Sequence, residues 1–470
     1  MGYVFYDTET SGLDAAFSQI LQFAAIHTDY DFNELERYDI KCRILPASVP
    51  APGAMMVTGV TVERLTDKAL PSSYSMISEI RKKLLSWSPA IFIGYNSLKF
   101  DEHILRHEFY KNLFPAYLTN SNKNSRIDAM RLMQIAAALE PSCLKTPPGK
   151  DGKPSFKLDQ IAPLNGFDHK HAHDALSDVE ATIYLCKLVR DSSPESWSNV
   201  MRFSQKAAVR DFTDNEEAFC LHEVYFGKPF FFFMSSLGKN PEKPGEIYAF
   251  DLKGDPATFG NLDDESLRRL ISGSPKPIRR FKANSCPMLF SLDGLPDRVT
   301  LSEHDHDTFV ARSRYLTANP EMQKRLIRCY EEEQPEGSDA PHVESKLYEG
   351  FFSDEDTKKM EQFHILPWEE RYSLVQSFGD ERLKELGTRV IYFEKRHLLS
   401  HDDSLRLDVL FAERIMASGD SLPWTTLPAA TREWAESARD DLSELANGHR
   451  QYMEYLREWA ASVLNIAAAA

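Results

Sequence analysis

Tyr3-Val4-Phe5-Tyr6-Asp7-Thr8-Glu9-Thr10-Ser11-Gly12-Leu13 is the stretch on which the fold turns. Aromatic and β-branched residues from Tyr3 to Thr8 predict a buried strand. Residues two apart on a strand share a face, so Asp7 and Glu9 project together from its end. Gly12 then breaks the pattern and turns the chain. Two adjacent carboxylates repel, and burying them unpaired is costly. Divalent cations would offset that cost and supply a hydrolytic centre. The competing expectation is an edge strand with solvated acids.

The chain has 470 residues, which predicts two to four domains. Its hydrophobic (42%) and charged (27%) fractions are those of globular proteins. No apolar run is long enough to span a bilayer, and the N-terminus opens directly into the strand without a signal-like segment. The six cysteines are scattered with no C-x-x-C pair, which argues against a zinc site or disulfide framework. A reducing cytoplasm without membrane attachment is the expected setting. The net charge of −16 argues against nucleic-acid binding at first sight. Its distribution removes the objection: −1 over residues 1–190, −7 over 191–350 and −8 over 351–470. The first segment is near neutral with all its acids counted, and two bound divalent ions would make it positive.

Working outward, Gln19–Thr28 and Glu36–Leu45 read as further strands, joined to the first as an antiparallel meander. Pro46, Pro50 and Pro52 mark a loop, and Thr61–Asp67 a short helix. Tyr74–Trp87 reads as a helix capped by Ser72 or Ser73, with Met76, Ile77, Ile80, Leu84 and Leu85 as its core stripe. Ala90–Gly94 is a short strand, followed at once by Asp101 and a helix from about Glu102. Asp101 thus sits beyond a strand's C-terminal end, where α/β sheets place ligands, although a helix N-cap role fits it equally. Asp128–Leu139 and Lys157–Leu164 read as helices, with a Pro/Gly/Lys-rich loop between them.

His171-Ala172-His173-Asp174-Ala175-Leu176-Ser177-Asp178 opens a further helix running to Val189. His173 and Asp178 are five apart, about 140° around one continuous helix. They can converge only if His173 lies before the helix or at its first residue. His171, His173 and Asp174 all remain candidates on chemistry alone. Residues 191–201 read as a boundary. Strand-like runs at Glu223–Phe226, Pro229–Met234, Ile247–Leu252 and Ile278–Lys282 then indicate a β-rich domain, and Phe230–Phe233 are expected in its core. After a second boundary at Leu347–Asp356 the pattern is helical: Thr357–His364, Trp368–Phe378, Leu405–Ala417, Thr431–Asn447 and Gln451–Leu464, with a low-complexity Ala467–Ala470 end. No G-x-x-x-x-G-K-[ST] loop is present, so nucleoside triphosphate hydrolysis is not supported.

Asp7, Glu9, Asp101 and Asp178, in the order D-x-E, N-x3-F-D and H-x4-D, resemble the DEDDh exonuclease family on the ribonuclease H-like fold. QFAAI (22–26), GVT (59–61), GYNSLKFDE (94–102), Asn124–Asp128, Pro154–Leu158, AHDALSDV (172–179) and LYEGFFSD (347–354) extend the likeness to the bacterial exodeoxyribonuclease I family over nearly the whole chain. The resemblance implies a multidomain α/β protein. Its parts are a ribonuclease H-like exonuclease domain (1–190), an SH3-like β domain (200–347) and a C-terminal helical domain (350–470). It implies 3′→5′ degradation of single-stranded DNA to 5′-mononucleotides in DNA repair. Two Mg²⁺, replaceable by Mn²⁺, would be held by Asp7, Glu9, Asp178 and Asp101. His173 would be the general base. Glu9 would accept from the terminal 3′-OH and Leu13 would wedge against the last base. Arg106, Tyr117 and Lys157 would contact the strand. Lys157 departs from the arginine of familiar members, replacing a bidentate fork with a point charge. The family also implies a monomer and binding of the acidic tail of single-stranded-DNA-binding protein. A DEDDh exoribonuclease or proofreading module is the alternative enzyme, and a non-catalytic nucleic-acid binder the alternative outside enzymes.

Overall fold

The computed structural model describes residues 2–149, 152–169, 172–240, 242–334, 340–419, 421–437 and 443–469. Its first sheet contains β1 (Tyr3–Thr10), β2 (Ile20–Thr28), β3 (Glu34–Lys41), β4 (Ile91–Gly94) and β5 (Ser125–Asp128) in the order β3-β2-β1-β4-β5. β1, β2 and β3 pair antiparallel, as the meander pattern predicts, and β1, β4 and β5 pair parallel. Strand alternation divides the central β1 between two cores. Tyr3 and Phe5 pack with Val179, Leu185 and Cys186 of the helix Ala175–Ser192. Val4 and Tyr6 pack with Ile77, Ile80 and Leu84 of the helix Ser73–Trp87 and with Ile104 and Phe109 of the helix Asp101–Lys111. Helices therefore cover the strand on both faces, the mixed α/β layering expected of the N-terminal segment.

Several local readings change. Pro52 sits inside a helix, Pro52–Thr58, rather than a loop, because proline is tolerated in a helix's first turn. β5 has the polar sequence Ser-Arg-Ile-Asp, which hid it as a strand, yet all four residues are buried. Residues 191–201 are not a linker. They enter the helix Pro194–Phe203, whose Trp197 packs against Tyr3 (ring centroids 5.6 Å) and Phe32 (5.4 Å). The Ser/Pro/Glu run that reads as a boundary is the opening turn of that helix.

A second sheet holds β6 (Phe219–Tyr225), β7 (Lys228–Gly238), β8 (Glu246–Asp251), β9 (Ile278–Lys282) and β10 (Met288–Ser291), ordered β10-β6-β7-β8-β9 and antiparallel throughout. One set of side chains packs with Phe203, Val209 and Phe212 of the helices Pro194–Phe203 and Lys206–Asn215. The other packs with Phe309, Leu316 and Leu326 of the helices Glu303–Ala318 and Pro320–Glu332. The four phenylalanines do not all enter the core: Phe233 is buried, but Phe230 near the hairpin tip is 40% exposed.

The C-terminal segment comprises the helices Asp354–Ile365, Trp368–Gln376, Glu381–Lys395, His401–Met416, Leu427–Glu436 and Ser443–Ala469. The expected single helix Thr431–Asn447 corresponds to parts of two, and residues 438–442 lie outside the described residues. Glu381–Lys395 escaped the periodicity because Gly387, Thr388 and Arg389 occupy its buried side. Arg389 is buried on Glu344, which also bonds Arg414. Burial alone would raise the Glu344 pKa, but the two guanidiniums hold it at about 2. All six cysteines are free and buried, and among the described residues no helix is long and apolar enough to cross a membrane.

One polar cluster ties three elements beneath the strand ends. Glu102 is buried, with Arg126 Nη1 at 2.6 Å and Arg106 Nη2 at 3.0 Å. The Tyr6 hydroxyl donates to its other oxygen at 3.1 Å. Burial would raise the Glu102 pKa, and the two arginines bring it below the usual value. Removing one partner of a buried ion pair strands the other. Arg126→Ala is therefore expected to destabilise the protein by about 3–5 kcal/mol, read as a lower urea midpoint.

Candidate active site

Strand alternation that puts Tyr3 and Phe5 in one core carries the same face onward to Asp7 and Glu9. Beyond the apolar part of that core stands the first turn of the helix Ala175–Ser192, which contains Asp178. Ligand oxygens of Asp7, Glu9 and Asp178 lie within 4.8 Å of one another. The strand acids and the distant helix acid thus converge, as the spacing of the motifs requires. Asp101 opens its helix on the neighbouring side and is buried. Its Oδ1 accepts from the Thr8 N–H (3.1 Å) and the Thr8 hydroxyl (2.6 Å). It stands outside the three-carboxylate group but close enough that its charge acts on Asp7 and Glu9.

The electrostatics of the four acids are uniform in sign. Burial raises the Asp7 pKa well above its usual value, and the charges of Asp101, Asp178 and Glu9 raise it further. Burial and then Asp178 and Asp101 push Glu9 up to about 8, against a small opposing effect of Arg64. Burial lifts Asp101 to about 7 although Thr8 opposes it, and lifts Asp178 although His169 opposes it. Three acceptor-only carboxylates with oxygens this close, each desolvated, form a donor set suited to a hard divalent cation.

The helix entry distributes the remaining candidates. Asp174 is the N-cap, accepting from the Ser177 N–H, and it also binds Gln22 Nε2 (3.2 Å) and Lys41 (3.6 Å). It anchors the helix to the sheet. His173 precedes the cap with a left-handed backbone (φ 68°), an exposed side chain, and its N–H 3.4 Å from Asp178 Oδ1. A positive φ is uncommon for a non-glycine residue, and here it serves to aim that N–H at the carboxylate. His171 lies outside the described residues. The imidazole that touches the cluster is one that sequence reasoning passed over: His169 Nε2 lies 2.7 Å from Asp178 Oδ1. His169 lies nine positions before Asp178 and ahead of the helix Ala175–Ser192, so no helical period connects them.

The expected strand-contacting residues differ in their exposure. Leu13 is 84% exposed and Lys157 is exposed just before the helix Leu158–Leu164. Arg106 is not a free cation: its side chain is 11% exposed, bound to Glu102, and its guanidinium lies 5.1 Å from the Tyr117 ring centroid. A cavity of about 370 Å³ between the exonuclease segment and the C-terminal helices is lined by Leu13, Phe17, Tyr74, Arg389, Arg414 and Trp424, among others. None of the four acids lines it, so it is separate from the carboxylate centre.

Residues 4–186 match the exonuclease family, and residues 341–463 match the exonuclease I C-terminal domain. The exodeoxyribonuclease I of Escherichia coli K12 is 29% identical over 405 residues, covering 82% of this chain and 83% of that protein. That of Haemophilus influenzae is 28% identical over 414 residues, covering 84% and 86%. Among solved structures, E. coli exonuclease I in complex with a dA16 oligonucleotide superposes with a TM-score of 0.81 at 24% identity, over 97% of this chain and 99% of that one. The exonuclease I of Methylocaldum szegediense superposes with a TM-score of 0.78 at 25% identity, over 98% and 99%.

Glu9 gives a pH dependence with a definite sign. Its pKa in the fold is about 8 against the usual 4.5, so between these values the native state holds a proton that the unfolded chain has released. Native stability then falls as pH rises through that window. In EDTA, Glu9→Gln is expected to match wild type near pH 4 and to exceed it by on the order of 2–4 kcal/mol at pH 8. Thermal melts at the two pH values read the difference, and added divalent cation is expected to narrow it at pH 8.

Proposed function

We propose that this chain, homologous to exodeoxyribonuclease I along most of its length, degrades single-stranded DNA from the 3′ end and releases 5′-mononucleotides with Mg²⁺. The convergence of Asp7, Glu9 and Asp178 within one segment of exonuclease signature carries the proposal. These three residues would hold the ions, with Asp101 adding the fourth charge. A pair of Mg²⁺ bound there would activate the attacking water and neutralise charge on the leaving 3′ oxygen, with Mn²⁺ able to substitute.

The chain's own groups account for the rest. His173, exposed at the entry to the helix, takes the proton of the attacking water. Glu9 accepts from the terminal 3′-OH, which confines cutting to chain ends. Leu13, exposed after the turn that follows β1, packs against the last base. Tyr117 and Lys157 contact the strand through a ring face and a point charge. Arg106, committed to Glu102, contributes by holding the Tyr117 ring. Relatives solved with dA16 and dT13 oligonucleotides support the choice of DNA. We further assign the protein to the cytoplasm as a monomer, with single-stranded-DNA-binding protein engaged through its acidic tail.

Incubation of 5′-labelled single-stranded DNA with and without Mg²⁺ tests the reading. Shortening from the 3′ end only with Mg²⁺ is expected, and preferred digestion of an RNA of equal length would overturn the substrate. Asp7→Asn and Asp178→Asn each remove a ligand whose effect is worth several kcal/mol, so nucleotide release should fall by about a thousandfold or more. Unchanged circular dichroism would accompany that loss, and undiminished release in either variant would refute the site.

A further inference from the structure

Asp178 is held by an imidazole that the proposed chemistry does not use. The His169 side chain is 1% exposed, and its Nε2 approaches Asp178 Oδ1 at 2.7 Å. Phe167 packs edge-on against the ring with centroids 5.7 Å apart, and Tyr184 packs against Phe167 at 5.5 Å. The Tyr184 hydroxyl donates to the Asn165 carbonyl at 2.8 Å, and Asn165 in turn bonds the backbone of Lys145. The ring is therefore walled in on the loop side. Its Nδ1 is buried and has no hydrogen-bond partner among the described residues.

A carboxylate is an acceptor, so the ring atom facing it must carry the proton, and Nε2–H donates to Oδ1. The His173 N–H is aimed at the same oxygen. Oδ1 is thus engaged twice from the protein side. Oδ2 takes no protein hydrogen bond among the described residues. A carboxylate fixed by one oxygen presents the other in a set direction. The ring is enclosed, whereas the His173 side chain is exposed.

We propose that His169 is a positioning residue: by donating from Nε2 to Oδ1 it locks Asp178 in the orientation that binds a divalent cation. This rests on the reading that Asp7, Glu9 and Asp178 form the metal site. Partners of this kind typically govern metal affinity by 10–100-fold.

Calorimetric titration of the full-length protein with Mn²⁺ alone, without DNA, tests it. His169→Ala is expected to weaken Mn²⁺ binding about 10–100-fold, and His169→Gln, which keeps a side-chain N–H at comparable reach, to restore most of it. The Mn²⁺ concentration for half-maximal hydrolysis of single-stranded DNA should shift by the same factor. Wild-type affinity in His169→Ala, or His169→Gln as weak as His169→Ala, overturns the positioning role while leaving the metal site intact. Wild-type protein that binds no Mn²⁺ overturns both. If His169→Ala does not fold, His169→Leu takes its place: His169→Gln binding more tightly supports the role, and equal binding refutes it.

Discussion

Like charges forced together out of water are the constraint around which the molecule is arranged. Asp7, Glu9, Asp101 and Asp178 are all driven upward in pKa by burial, and charges of their neighbours add to it at the strand acids. A fold gains nothing from such a cluster on its own. Two other buried carboxylates show what the same chain does when a carboxylate serves structure. Glu102 is met by Arg126 and Arg106, and Glu344 by Arg389 and Arg414, and both have lowered pKa values. Arginines compensate the structural acids. Among the described residues no arginine or lysine forms an ion pair with the acids of the four-acid centre, which would leave their charge for a cation to balance.

The supports of those acids follow from ordinary backbone rules. Alternation along β1 aims Asp7 and Glu9 at the helix Ala175–Ser192, while the intervening Thr8 turns the other way and binds Asp101 through its N–H and hydroxyl. Asp101 and Asp178 both sit in the first turns of helices, where the N-terminal end of the macrodipole favours negative charge. Asp174 caps the second helix and ties it to Gln22 and Lys41 on the adjoining strands. One strand and two helix starts are thus enough to hold acids that are 171 positions apart at their extremes, Asp7 to Asp178, in one place.

The parts of this arrangement that sequence discloses are those with a period or a cap. The meander, the apolar stripe of Ser73–Trp87 and its Ser72 cap, and the placement of His173 ahead of the helix all follow from local pattern. What escapes is polar and buried. β5 passes as non-strand because Arg126 looks like a surface residue until Glu102 is seen opposite it. Glu381–Lys395 hides behind Thr388 and Arg389, which face inward toward packing and a carboxylate. His169 precedes the helix that carries Asp178, so their contact is one that no spacing encodes. The Pro194–Phe203 helix is hidden for a related reason: its polar opening turn resembles a linker, and its packing, Trp197 on Tyr3 and Phe32 among it, identifies it as core.

Charge also reconciles a strongly acidic chain with a polyanionic substrate. Residues 1–190 carry a net charge of −1, and four of their acids make up this partly buried centre. Burial shifts the pKa of all four upward when no cation is present, which favours their uncharged forms. Two divalent ions bound there would make the same segment positive, while the formal charges of −7 and −8 belong to the segments that follow. Metal bound there would do two things at once. It would satisfy the desolvated carboxylates, and it would make the field that a phosphodiester meets on approach less negative. Attraction for the strand and competence to cut it would then be coupled through one occupancy.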